Sequence, residues 1–146
     1  VSWKELEVDG NPMGDPEGWS VKLDAARGTV LGGDEDELRM LTPFFFVLPP
    51  TAVEANDKWD ATVERRGTEF KFTAAGIEKL GEVDVLKVTS TSKETKGSDA
   101  MSSEGTWWVD KDGTVHKFEI KITNWVVPMA GGDPFDSVVT GSLIKS

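Results

Sequence analysis

Apolar and polar residues alternate along much of this chain. Trp19, Val21 and Leu23 fall on one face of an extended segment, with Ser20, Lys22 and Asp24 on the other. Phe70 and Phe72 alternate with Glu69, Lys71 and Thr73, and Leu86 and Val88 with Lys87 and Thr89. The longest such run sets Phe118, Ile120 and Ile122 against Lys117, Glu119, Lys121 and Thr123. Near the C-terminus Val139 and Leu143 share one parity, and Val138 and Ile144 the other. A period of two predicts half-buried antiparallel strands, because successive strand side chains point to opposite faces. Turn signals punctuate the runs: Asp9-Gly10-Asn11-Pro12, Arg27-Gly28, Arg66-Gly67, Gly81, Lys96-Gly97-Ser98-Asp99, Asp112-Gly113 and Gly131-Gly132-Asp133-Pro134.

One segment departs from this rhythm, "GGDEDELRMLTPFFFVLPP" from Gly32 to Pro50. Asp34 to Glu37 suit a helix N-terminus, where the dipole favours negative charge. Thr42 before Pro43 reads as an N-cap followed by the first helical position. The segment predicts one short helix, or two helical turns, ending at Pro49-Pro50, with Phe44 to Leu48 packed on the sheet. A buried edge strand over Phe44 to Leu48 is the alternative. The expected fold is therefore mainly β: a curved antiparallel sheet or half β-barrel with one short helix.

Composition narrows the picture. A chain of 146 residues predicts a single β-rich domain over 1–146, large enough to bury a core without staples. Six Trp and seven Phe argue against a disordered chain. The net charge is −10, from 26 acidic against 16 basic residues, and the longest basic cluster is Arg65-Arg66. Nucleic acid is therefore not an expected partner, since phosphate neutralisation needs clustered Lys and Arg. Cysteine is absent, which excludes disulfides, thiolate nucleophiles and cysteine-bound metal. No apolar run approaches the roughly 20 residues of a membrane-spanning helix. Val1 at the head of the chain fits a processed mature form or a trimmed one.

The candidate chemistry is sparse. Asp110-Lys111-Asp112-Gly113 resembles the start of a calcium loop, which requires Gly at position 6 and a bidentate Glu at position 12. Counted from Asp110, Gly113 stands at position 4 and Lys121 at position 12, so the register fails. Flanking strand patterns make the motif a hairpin turn instead. His116 is the sole histidine; it shares parity with Phe118 and is expected to face the apolar side, at the rim or as a structural group. The acidic runs Asp34–Glu37, Asp15–Glu17 and Asp133–Asp136 read as solvated turns before cation sites, and no metal or cofactor is expected. No GxSxG, HExxH, P-loop or GxGxxG pattern occurs, and one histidine supports no hydrolase triad. Counting acids leaves a carboxylate-based hydrolase open.

The tryptophans carry the strongest hint of binding. Trp59, Trp107 and Trp125 sit in strand patterns, and adjacent Trp107 and Trp108 must take opposite faces. One of that pair therefore faces a second surface: a covered face, a ligand groove or a partner. Aromatic residues are enriched at such surfaces. The competing reading is burial on two faces, with Phe44 to Phe46 covering the second.

The second half also carries a resemblance. The stretches "LPPTAVEANDKW", "LGEVDVLKVTSTS", "EGTWWVDKDGTVHKFEI" and "VVTGSLIK", spread over about residues 48–146, follow an order of strands and turns that resembles a group of exported bacterial β-domain proteins of uncharacterised function. Ala55-Asn56-Asp57 stands where that pattern usually carries a Gly-Asp pair. The resemblance implies a curved antiparallel sheet outside the cytoplasm (periplasmic, cell-surface or secreted), similar to the half-barrels of lipoprotein carriers, and it implies no catalytic residue.

The expected function is a non-catalytic, extracytoplasmic binding domain for an apolar ligand or hydrophobic peptide. Its candidate contacts are Trp107, Trp108, Trp125, Phe44, Phe46 and His116. The alternative is a structural subunit of a surface or filament assembly, self-associating through edge strands such as "VSWKELEV".

Overall fold

The computed structural model describes residues 5–9, 11–13, 22–24, 29–32, 39–63, 67–127 and 133–142. The expected strands at Phe70, Leu86 and Phe118 lie in long elements: β5 (Lys58–Val63), β6 (Thr68–Leu80), β7 (Val83–Lys93), β8 (Ser102–Val109), β9 (Val115–Trp125) and β10 (Phe135–Ser142). These six run up and down, each paired antiparallel with the next in sequence. β1 (Glu5–Val8) then adds beside β10, with Glu5 opposite Ser142 and Val8 opposite Val139, and β2 (Asn11–Met13) adds beside β1. Among the described residues this makes one eight-stranded, unclosed sheet with β2 and β5 at its edges. Two further strands, β3 (Lys22–Asp24) and β4 (Thr29–Gly32), form a separate antiparallel pair. The mainly β fold with an open antiparallel sheet and one short helix is thus the one the chain adopts.

The N-terminal strand is paired on both sides within its own sheet, by β10 and β2. The edge beyond it carries Pro12, whose ring nitrogen has no hydrogen to offer a further strand. Trp19, Val21, Leu143, Ile144 and the acidic runs at 15–17 and 34–37 lie outside the described residues.

The helix ends earlier than its sequence suggests. Among the described residues helical backbone runs from Arg39 into a final 3-10 turn, Thr42–Phe44, so Thr42 is not the N-cap. Leu41 takes the N-cap position, without a side-chain cap. The chain leaves the helix at Phe45 (φ −82°, ψ 114°), and residues 45–49 are neither helix nor strand. The prolines at 49 and 50 explain part of this, since a residue preceding proline is driven out of helical backbone.

This segment is what gives the sheet a dry inner face. Met40, Phe45 and Val47 are buried in one cluster with Phe70, Phe72, Val88, Trp107, Phe118, Ile120, Ile122 and Val139 from the strands. Two indoles tie the segment down: Trp125 Nε1 donates to the Met40 carbonyl and Trp59 Nε1 to the Val47 carbonyl, both at 2.9 Å. Arg39 Nε and Nη2 donate to the two carboxylate oxygens of Glu94, at 2.9 and 3.1 Å, and Met101 N also donates to Glu94. Glu94 is fully buried, so this forked pair clamps the covering segment to the β7–β8 connection. The outer face is polar and ordered by charge. Asp60 stands opposite Lys71, Glu69 opposite Lys93, and Glu104 opposite Lys121, pairings that favour this register.

Candidate functional site

Four of the expected contact residues meet on the inner face. Trp107 is 2% exposed, and its indole donates to Ser90 Oγ at 2.8 Å. Phe46 lies 5.4 Å from Trp107 and 5.4 Å from Phe72, ring centre to ring centre. Phe44 lies 5.7 Å from Phe118 and 5.8 Å from Trp125. These rings satisfy one another, so the middle of the inner face is filled by the protein's own chain. Gly105 makes room for Trp107: a Cβ there would stand 2.7 Å from Ser90 Oγ and 2.9 Å from Trp107 Nε1.

Trp108 is separated from that group by the sheet itself. It lies between Lys87 and Lys117, whose ammonium nitrogens stand 5.8 and 4.7 Å from its ring centre. Those lysines occupy the directly opposite positions on β7 and β9. Its indole donates to Glu78 Oε2 at 3.1 Å. That hydrogen bond holds the Glu78 carboxyl below its ordinary range, with partial desolvation opposing and Lys87 assisting. Val85, opposite Glu78, is buried yet stands outside the core cluster.

The β8–β9 hairpin answers the question of the acidic loop. Gly113 N donates to the Asp110 carbonyl and Asp110 N to the Thr114 carbonyl, closing a tight turn in which Gly113 has φ +83°. A side chain would strain that left-handed backbone, which is why glycine stands there. Asp110 Oδ1 accepts from Asp112 N and Thr114 N, at 2.9 and 3.0 Å. Its other oxygen lies 2.7 Å from His116 Nε2. Burial of Asp110 opposes its ionisation. The hydrogen bonds from His116, Thr114 and Asp112, together with the charge of His116, outweigh it and hold the carboxyl below its ordinary value. A bulge pairs Trp108 with Lys117 and Val109 with Val115, leaving His116 unpaired between them. His116 is nonetheless buried in phase with Phe118, Ile120 and Ile122 along β9. The ring is buried and serves as a brace for the turn; among the described residues no hydroxyl is hydrogen-bonded to it. No group of three metal-ligating side chains occurs among the described residues, and none of their helices is long and apolar enough to cross a membrane.

The open site lies at one end of the inner face, where the covering segment stops. A groove of about 500 Å³ is bounded by the end of that segment, the edge strand and the turn just described. Phe46, Leu48 and Val53 line it from the segment, Trp59 from β5, and Ile77, Leu86 and Val109 from β6, β7 and β8. Asp84 and the turn residues Asp110 to Gly113 also line it. Ile77 reaches this face because a bulge between Ala74 and Gly76 shifts the parity of β6; it is 72% exposed, more than any other large apolar side chain among the described residues. Of the expected contacts only Phe46 lines the groove. Its other apolar residues were missed because they converge from the covering segment and four separate strands; the local hint was Ile77, an apolar residue between Gly76 and Glu78 near a turn.

No protein-family model matches this sequence, no curated protein matches it, and no solved structure matches its fold.

Proposed function

We propose that the protein is a non-catalytic binding domain, working outside the cytoplasm, whose apolar ligand sits in the groove between Leu48, Trp59, Ile77 and Leu86. The observation that carries this reading is the groove: it is concave, apolar and of the size that small-molecule sites have, about 300–1,000 Å³. The exposure of Ile77 supports it, since an isoleucine left in water costs free energy that a ligand would recover. The extracytoplasmic setting rests on the resemblance carried by the second half of the chain.

Titration with a lipophilic fluorescent dye tests the reading. Saturable binding at one site is expected, weakened about tenfold by Ile77→Asp, a loss of roughly 1.4 kcal/mol. Because Ile77 is exposed, this substitution is expected to leave the fold intact. Absence of binding, or binding that Ile77→Asp leaves unchanged, contradicts the proposal.

A further inference from the structure

The charges around the groove select among apolar ligands. Three carboxylates line it, those of Asp84, Asp110 and Asp112, against one lysine, Lys111. Asp84 is engaged by Lys79 at 2.8 Å, and both oxygens of Asp110 are engaged by the turn and His116. Asp112 uses its backbone N–H in the turn, while its carboxylate has no partner among the described residues. Phe46 and Trp59 also line the groove and add to its apolar floor. A floor of apolar side chains, two aromatic residues and an excess of carboxylate at the rim together complement one kind of molecule.

Building on the groove reading, we infer that the ligand is a cationic amphiphile: an apolar chain or ring system carrying a positively charged amine or quaternary ammonium group. The apolar body lies along Leu48, Ile77 and Leu86, and the cation faces Asp112. An anionic amphiphile would meet like charge at this rim, in a chain that already carries −10.

Calorimetric titration with three probes of equal chain length tests this: decyltrimethylammonium, decyl maltoside and decyl sulfate, each below its micelle concentration. The expected result is that the cation binds at least about tenfold more tightly than the anion, with the neutral probe between them. Asp112→Asn should remove most of that preference and leave binding of decyl maltoside unchanged. Glu104→Gln, an equal change of charge on the outer face, should leave the preference in place. Equal binding of all three probes overturns the charge inference while the groove reading stands. A preference unaltered by Asp112→Asn overturns it too, since net charge alone would then explain the selectivity. Failure of all three probes to bind overturns both.

Discussion

Trp107 and Trp108 are neighbours in the chain and opposites in the molecule. Trp107 lies under Phe46 and beside Phe118, with its indole bonded to Ser90. Trp108 is half-buried on the other face, between two lysines and bonded to a glutamate. One ring is packed by aromatic contacts in a dry interior, and the other is held by charges at the surface. Paired aromatic residues therefore need not signal a binding site, because a sheet with a covered inner face has a use for each. The open apolar surface lies elsewhere, where the cover ends.

Substitutions along this pair should break the symmetry of the sequence. Trp107→Ala removes a buried ring that its neighbours cannot fully replace, and a loss of about 3–5 kcal/mol is expected from denaturant unfolding. Gly105→Ala tests the same packing more gently. The added methyl crowds Ser90 and the Trp107 indole, and overpacking of this kind costs about 1–3 kcal/mol. Trp108→Ala should cost only about 1 kcal/mol, since an exposed cation–π contact contributes roughly 0.5–1 kcal/mol. Equal losses for the two tryptophan variants would contradict the assignment of faces.

The smallest expected effect concerns the hairpin that links the two faces. The folded-state pKa of Asp110 is depressed, so its contribution to stability is present above the unfolded-state value and is lost as pH falls through the folded one. The stability difference between the protein and Asp110→Asn should therefore be largest near neutral pH and shrink below about pH 4. Denaturant midpoints measured from pH 6 to pH 2 check this. A difference independent of pH would show that the carboxylate charge contributes nothing.

Local patterns made much of the fold legible. Alternation located β6, β7 and β9, turn residues located their hairpins, and parity placed Trp107 and Trp108 on opposite faces. What the pattern could not carry were breaks in alternation and long-range meetings. A bulge beside Trp108 leaves His116 without a cross-strand register partner, and another beside Gly76 turns Ile77 toward the groove. Glu94 sits in a stretch rich in Ser, Thr and Lys, yet it is buried because Arg39 meets it from 55 residues away. The groove is illegible for the same reason: its lining residues converge only after the sheet has formed and the covering segment has docked.

Among the described residues the inner face is closed in the middle and open at the end where the covering segment stops. Methyl chemical shifts followed by NMR during titration with decyltrimethylammonium test it most directly. Changes are expected at Leu48, Val53, Ile77, Leu86 and Val109, with Ile120, Ile122 and Val139 unmoved. Changes centred on Ile120, Ile122 and Val139 would contradict it, because the ligand would then have displaced Phe44 to Val47 from the sheet.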